Sequence, residues 1–341
     1  SFNDFKIDQR LKNNIADRKF VFPTPIQDRI IPQILMGKDV VGMANTGTGK
    51  TAAFLIPLIN KVILNHDEKI LIIVPTRELA QQIQDELRAF VKGMPIYSVS
   101  CVGGMSIHAQ ISDLRRMHNF VIGTPGRLKD LIDRRIIDLK SFKSVVLDEA
   151  DRMLDMGFIH DMKYVMNSMP KEKHCLFFSA TLSIEIERLM KEILKDPLVV
   201  SVKTQEISKN IEQDVVKVPR ERKLDELVKL LGQKEFNKVL VFLQTKHGAE
   251  KISKALLDKG FKAGSIHGNK TQANRQKTLT SFKNHQRQVL VATDVAARGL
   301  DINDISHVIN YDIPESHEDY VHRIGRTGRG NKKGKALTFI D

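Results

Sequence analysis

Short apolar runs recur along the chain, each followed by a polar or glycine-containing cluster and then by a segment with helical spacing. In the first part of the chain these runs lie at 40–43, 69–75, 97–102, 119–122, 144–147, 175–178 and 198–202. Runs of this length are typical of parallel strands that are buried on both faces. Their alternation with helices predicts an α/β fold with a doubly wound parallel sheet.

A polar stretch interrupts this alternation, which then restarts with apolar runs at 213–218, 239–242, 263–266, 289–292, 307–311 and 336–340. A polar segment between two such series is typical of a linker. With 341 residues the chain is long enough for two domains, each with its own core. The pattern therefore predicts a first domain at 1–202 and a second at 211–341, joined by a linker at 203–210.

The cluster after the first run, residues 44–51, has the sequence Ala-Asn-Thr-Gly-Thr-Gly-Lys-Thr. It matches the phosphate-loop pattern except at Ala44, where the general pattern has glycine. Glycines let backbone N–H groups approach a polyphosphate, and the following helix N-terminus adds its positive dipole end. We expect Lys50 to reach the β and γ phosphates and the Thr51 hydroxyl to ligate Mg2+. The other residues expected to bind the nucleotide here are Thr46, Gly47, Thr48 and Gly49.

A carboxylate pair, Asp148 and Glu149, follows the apolar run 144–147. Ligands of open parallel sheets bind at the carboxyl ends of the strands, so this pair is expected near the phosphates. Asp148 is predicted to hold Mg2+ through water, and Glu149 to orient or deprotonate the attacking water. The alternative is that both are merely acidic residues at a helix N-terminus. The companion phosphate loop favours the catalytic interpretation.

Gln27 lies two residues after the second of two prolines, Pro23 and Pro25, which interrupt the helical segments of residues 2–36. A glutamine amide donates and accepts hydrogen bonds at once, which matches the N6 donor and N7 acceptor of adenine. An aromatic ring such as that of Phe20 can stack on the base. Adenine recognition is therefore one interpretation, and an ordinary glutamine on a helix surface is the other.

The second domain contains no further Gly-Lys-Thr loop, so we expect it to assist the first domain rather than bind a second nucleotide. Arg323, Arg326 and Arg329 recur every three residues with glycines between them. This spacing can present several guanidiniums on one face of a short helix. Supplied across a cleft, they would stabilise charge on a transferring phosphoryl group. A basic patch that faces solvent is the alternative.

The composition of the chain indicates what kind of partner it binds and which cellular compartment suits it. The net charge is +13 at pH 7, and residues 211–341 are more basic than the rest. This balance favours a polyanionic partner such as nucleic acid, although solvated lysines alone produce a similar excess. No apolar stretch approaches the roughly 18 residues of a membrane helix, so no membrane association is expected. Two cysteines, Cys101 and Cys175, support neither a disulfide framework nor a zinc site and fit a reducing compartment.

Together these motifs resemble the DEAD-box family of ATP-dependent RNA helicases, within helicase superfamily two. The resemblance covers essentially the whole chain. Lys19 departs from the family, which usually has glycine before the aromatic residue, and Asn269 stands where aspartate is frequent. Neither departure touches the phosphate chemistry. The matching segments are Pro23–Gln27, Ala44–Thr51, Pro75–Ala80, Gly103–Gly104, Thr124–Arg127, Asp148–Asp151, Ser179–Thr181, Ala297–Asp301 and His322–Arg329.

The resemblance implies two tandem RecA-like domains, each a mostly parallel sheet with helices on both faces, with ATP in the cleft and RNA across both domains. It implies that Phe20 and Gln27 hold adenine, that Asp301 contacts the ribose, and that Arg326 and Arg329 act as arginine fingers. It also implies a grip on the RNA backbone that reads shape and 2′-hydroxyls rather than sequence. The residues of this grip are Thr76, Arg77, Gly104, Thr124, Arg127, Gly268 and Thr293.

The implied function is that of an RNA-stimulated ATPase, which forms ADP and phosphate and unwinds local RNA duplexes or remodels ribonucleoproteins. Two alternatives stay open. One is an ATP-gated RNA clamp that serves as a platform for other proteins. The other is a DNA helicase of the same superfamily, against which the Asp148–Asp151 and Gln27 segments argue. Protein cofactors are further expected partners, and the core is expected to be monomeric and cytoplasmic, with a nuclear location also open.

Overall fold

A computed structural model of the protein describes residues 1–44, 47–202, 210–297, 302, 304–328 and 333–341. The chain divides into two compact units, Ser1–Thr204 and Gln205–Asp341. Three predicted site residues, Thr46, Asp301 and Arg329, lie outside the described residues, as does most of the predicted linker.

The first unit alternates strands and helices. Its strands are β1 (Val40–Met43), β2 (Ile70–Ile73), β3 (Ser98–Cys101), β4 (Phe120–Gly123), β5 (Ser144–Leu147), β6 (His174–Ser179) and β7 (Leu198–Ser201). Its α-helices are α1 (Gln9–Asp17), α2 (Pro25–Leu35), α3 (Lys50–Leu64), α4 (Arg77–Phe90), α5 (Ile107–Leu114), α6 (Pro125–Asp133), α7 (Ala150–Asp155), α8 (Ile159–Asn167) and α9 (Ile184–Ile193).

The strands of this unit form a seven-stranded sheet in the order β3-β4-β2-β5-β6-β1-β7, and every neighbouring pair is parallel. Successive side chains of a strand point to opposite faces of the sheet. Accordingly, Val40 belongs to a core that α1–α4 cover, whereas Val41 belongs to a second core under α5–α9. Burial on both faces explains why these strands are continuous apolar runs rather than alternating ones.

The second unit repeats the pattern with a smaller sheet. Its strands are β8 (Ile211–Lys217), β9 (Val239–Phe242), β10 (Ala263–Ile266), β11 (Val289–Ala292), β12 (His307–Asn310) and β13 (Gly334–Ile340). Its α-helices are α10 (Lys223–Leu231), α11 (Lys246–Asp258), α12 (Gln272–Lys283), α13 (Asp294–Ala297) and α14 (His317–Ile324). The strand order is β10-β11-β9-β12-β13-β8, again with all pairs parallel.

The predicted fold class is confirmed, because both units are parallel sheets with an apolar core on each face. Each predicted strand is present, and its ends differ from the predicted ones by at most two residues. Within the part of the chain that the structure describes, no helix combines the length and apolar character that crossing a membrane requires. In each sheet the carboxyl ends of the strands lie along one edge, which gathers the polar clusters that follow them.

Candidate active site

The phosphate-loop segment connects β1 to α3 at the carboxyl edge of the first sheet. Gly49 is the N-cap of α3 and has a φ of +91°. This left-handed conformation favours glycine, and a Cβ at position 49 would overlap the Gln27 amide. Lys50 and Thr51 therefore begin a helix whose N-terminus points its free N–H groups out of the sheet edge, as an anion site requires.

Gln27 is buried in α2 and only 3% exposed, so the interpretation as an ordinary surface glutamine is wrong. Its Oε1 accepts a hydrogen bond from the Thr24 backbone N–H at 2.9 Å, and its Nε2 donates to the Gly49 carbonyl oxygen at 3.0 Å. The side chain therefore links the beginning of α2 to the phosphate loop. Its amide retains one hydrogen and one lone pair that these two bonds do not use.

Phe20 lies where α1 ends. The Lys19 N–H donates to the Ala16 carbonyl and the Phe20 N–H to the Ile15 carbonyl, which is the hydrogen-bond pattern of a Schellman motif. Lys19 occupies the left-handed position of this motif, with a φ of +60°. Glycine is the favoured residue there, which gives a physical reason for the family preference noted above. The half-buried Phe20 ring lies 5.9 Å from the Phe90 ring, centroid to centroid.

The carboxylate pair follows β5. Asp148 is 3% exposed, and burial raises its pKa to about 6, while the nearby Lys50 charge opposes the rise. Its Oδ1 accepts a hydrogen bond from the Glu149 N–H at 3.0 Å. Glu149 is the N-cap of α7 and has a φ of +54°. A left-handed backbone conformation at a glutamate lowers folding stability by roughly 1–2 kcal/mol, and such conformations cluster at functional sites.

Arg152, which the sequence did not single out as a site residue, lies beside this pair. The Arg152 Nη1 is 3.0 Å from the Glu149 Oε2, and both side chains are largely buried. The i,i+3 spacing of opposite charges at the beginning of a helix was the available signal. Asp151, by contrast, accepts hydrogen bonds from the backbone N–H groups of Ala180 and Thr181, at 2.8 and 3.0 Å. This contact ties the turn after β5 to the turn after β6.

The donor set fits a divalent cation. Mg2+ prefers oxygen ligands and is usually bound through one or two carboxylates together with phosphates and water. The Asp148 carboxylate is buried with a raised pKa, so a cation beside it would favour the charged form that burial disfavours. Thr51 offers a hydroxyl in the first turn of α3. Both residues that the sequence assigns to Mg2+ therefore carry suitable oxygen atoms.

The residues of the first unit that were assigned to RNA lie on the turns after β2, β3 and β4. Thr76 and Thr124 are the N-caps of α4 and α6. Gly104 has a φ of +70°, and a Cβ there would overlap the Arg77 guanidinium. Arg127 donates from Nη1 to the Gln110 Oε1 at 2.9 Å. Because β2, β4 and β3 are neighbours in the sheet, these residues form one polar surface at its edge.

Gly268 and Thr293, the two assigned residues of the second unit, also lie on neighbouring turns. They follow β10 and β11, whose last residues, Ile266 and Ala292, are paired. The Glu250 carboxylate accepts hydrogen bonds from Ser265 and His267, which lower its pKa to about 2, with Ser265 the larger cause. The same bonds hold the turn that leads to Gly268.

The expectation that the arginines share one helix face is wrong for Arg323. Its guanidinium is 1% exposed and makes a bidentate ion pair with Asp294 at 2.6 and 2.7 Å. It therefore lies in the interior of the second unit, where the Asp294 carboxylate balances its charge. Arg326 comes after the end of α14 and is also buried, with its Nε 3.3 Å from the His322 carbonyl oxygen.

Tandem parallel sheets, with a phosphate loop and a buried carboxylate pair at the carboxyl edge of the first, define a nucleotide-binding protein with two RecA-like domains. Residues 24–189 match the family model of the DEAD/DEAH box helicases, and residues 222–331 match that of the helicase conserved C-terminal domain. The chain belongs to the DEAD-box family of helicase superfamily two.

Three relatives illustrate this membership. The ATP-dependent RNA helicase CshA of Listeria monocytogenes is 44% identical over 99% of this chain and 66% of its own length, so the chain spans just under two thirds of that protein. A DEAD box protein from the hyperthermophile Methanococcus jannaschii is 42% identical, covering 99% of this chain and 92% of that one, with a TM-score of 0.59. Dbp5 of S. cerevisiae, bound to RNA and ADP-BeF3, is 29% identical, covering 100% and 89%, with a TM-score of 0.90.

Proposed function

We propose that the chain is an ATP-dependent RNA helicase, which couples ATP binding and hydrolysis to RNA binding and to local duplex unwinding or ribonucleoprotein remodelling. The observation that carries this proposal is the combination, in one unit, of the phosphate-loop start of α3 with the buried Asp148–Glu149 pair. The Lys50 charge acts on the Asp148 carboxyl, so the two features belong to one site. The name of the Listeria relative and the RNA-bound state of Dbp5 support the choice of RNA.

In this proposal the first unit binds the nucleotide. Lys50 and the N–H groups of Gly47, Thr48 and Gly49 contact the phosphates, together with Thr46. Gln27 uses its remaining amide hydrogen and lone pair on the adenine edge, and Phe20 packs on the base. Glu149 orients the attacking water and accepts its proton, with Arg152 holding the carboxylate at 3.0 Å.

Thr51 and Asp148, the latter through water, would hold Mg2+, which when bound neutralises charge on the β and γ phosphates. Asp301 contacts the ribose in this proposal. Arg326 and Arg329 are supplied by the second unit as arginine fingers, which stabilise the charge of the transferring phosphoryl group. Because the fingers and the phosphate loop belong to different units, hydrolysis depends on RNA bringing both units to one nucleotide.

RNA is gripped through its backbone. Arg77 and Arg127 provide guanidiniums, which suit phosphate geometry. The other residues of the grip are Thr76, Gly104, Thr124, Gly268 and Thr293. Contacts of this kind position the strand without reading its sequence, so target choice is left to other segments or to protein cofactors.

The test is steady-state ATP hydrolysis with single-stranded RNA, with DNA of the same sequence and without nucleic acid. We expect slow hydrolysis alone, marked stimulation by RNA and little by DNA. The Lys50→Ala variant, which loses a phosphate contact, serves as the control for contaminating ATPases. Equal rates with and without RNA would contradict the coupling, and stimulation by DNA alone would favour a DNA helicase. Stimulation by RNA without release of a short duplex would favour the clamp.

A further inference from the structure

Gln110 is a polar side chain that α5 buries, only 5% exposed, between the turns that follow β3 and β4. Its Nε2 donates to the Val102 carbonyl oxygen at 2.9 Å, in the turn after β3. Its Oε1 accepts from the Arg127 Nη1 at 2.9 Å, in the first turn of α6 after β4. A buried amide that lacked partners would destabilise the fold, and here each end of the amide has a partner. One side chain therefore connects two turns.

A carboxylate, that of Asp130, is an alternative partner for the Arg127 guanidinium. The Asp130 Oδ2 lies 3.9 Å from the Arg127 Nε, while the Asp130 Oδ1 is held by Arg134 at 2.6 Å. The Arg127 guanidinium also lies 3.4 Å from the Met105 carbonyl oxygen. Without the amide oxygen, Asp130 is the strongest acceptor within reach. A guanidinium paired to a carboxylate is then less available for a phosphate.

The turn after β3 has a second role in this arrangement. It continues from Val102 to Gly104, against which the Arg77 guanidinium packs closely. Fixing the Val102 carbonyl therefore fixes one end of the turn on which Arg77 rests. The turns after β2, β3 and β4 are thus held together by side chains, and Gln110 makes two of the connecting bonds.

We propose that Gln110 is a positioning residue for RNA binding, which keeps Arg127 directed towards a phosphate and joins the turns after β3 and β4 into one rigid surface. This inference rests on the proposed role of Arg127 in gripping RNA. Gln110 itself does not touch the RNA. It holds the Arg127 guanidinium where a phosphate can bind it, so that the guanidinium does not turn fully to the Asp130 carboxylate.

The salt dependence of RNA binding distinguishes positioning from general stability. For single strands the slope of log K against log salt changes by about 0.7 for each phosphate contact. The Gln110→Met variant keeps the volume of the side chain but removes both hydrogen bonds. We expect it to bind RNA about 3- to 10-fold more weakly and to lower the slope by about 0.7, because Arg127 then pairs with Asp130 and its phosphate contact is lost.

A matched control lies in the same unit. Gln84 of α4 is 6% exposed and donates to the carbonyl and hydroxyl oxygens of Ser98, at the beginning of β3 and away from the three turns. Gln84→Met should lower the melting temperature much as Gln110→Met does, but should leave the slope at its wild-type value. Should Gln110→Met fail to fold, Gln110→Glu replaces it. Its carboxylate binds Arg127 as Asp130 would, and the slope should fall by the same amount.

The experiment titrates the full chain with fluorescent single-stranded RNA at several salt concentrations, in the presence of a non-hydrolysable ATP analogue. Arg127→Ala should lower the slope by about 0.7, and the double variant Gln110→Met with Arg127→Ala should lower it no further. If Arg127→Ala lowers the slope and neither Gln110 variant does, the positioning role is wrong and the RNA site stands. If the two changes lower the slope additively, the positioning role is also wrong. If Arg127→Ala leaves the slope unchanged, its role in RNA binding fails and the inference fails with it.

Discussion

The Asp148 carboxyl is buried at the carboxyl edge of the first sheet, and burial raises its pKa to about 6 from an ordinary value of 3.8. A raised pKa of an acid means that the folded chain binds the proton more tightly than the unfolded chain. The protonated carboxyl therefore contributes to the free energy of unfolding at low pH, and this contribution is lost as the pH rises through 6. At pH 8 the charged group costs the metal-free fold about 3 kcal/mol, and at pH 5 about half of that.

Asp148→Asn should remove this cost while keeping an oxygen that accepts the Glu149 N–H. In buffer with a chelator, we expect the variant to be more stable than the wild type by about 3 kcal/mol at pH 8 and by about half of that at pH 5. Urea unfolding, followed by circular dichroism because the chain has no tryptophan, measures this difference in stability.

Asp67→Asn, at an exposed carboxylate, is the control. A variant that is no more stable at pH 8, or equally stabilised at both pH values, would refute the reasoning. Added Mg2+ should reduce the difference in unfolding free energy between the variant and the wild type, because it stabilises the wild type alone.

Four further substitutions test single features. Gln27→Ala should raise the KM for ATP, because a two-point base contact is worth about 1–3 kcal/mol, and efficient use of GTP by the wild type would contradict this role. Glu149→Gln should retain ATP and hold RNA tightly without turnover in a filter-binding assay, whereas loss of ATP binding would make Glu149 structural. Arg326→Ala should reduce RNA-stimulated turnover by about 1,000-fold or more with nucleotide affinity nearly unchanged, and normal turnover would exclude it as a finger. Lys19→Gly should raise thermal stability by up to about 1 kcal/mol through relief of the left-handed backbone, and a loss of stability would show that the lysine side chain matters more.

The strands and the edge that carries the site were predictable because both follow from local rules. Continuous apolar runs such as Ile70–Ile73 require burial on two faces, and parallel pairing then places all following turns at one edge. The phosphate loop was recognisable for the same reason, since a glycine turn between a strand and a helix is a local feature.

Side-chain direction after a turn was less predictable, because it depends on tertiary neighbours. The three-residue repeat of arginines suggested a common face, yet Arg323 enters the core to meet Asp294, a residue distant in sequence. Gln110 carried a weak signal: it lies three residues after Ile107 and four before Leu114, on the apolar side of α5. A polar residue at such a position indicates a buried partner, but the sequence does not name it.

The position of β1 in the sheet affects when the first unit can fold during translation. Its two neighbours are β6 and β7, which begin at His174 and Leu198. A ribosome working at about 5 to 20 residues per second needs on the order of 10 s for the roughly 130 residues between β1 and β6. During that time an apolar strand waits without either partner, as a target for chaperones or for aggregation. The candidate nucleotide site therefore assembles only after β6 has emerged, and only from then on can a bound nucleotide stabilise the nascent first unit.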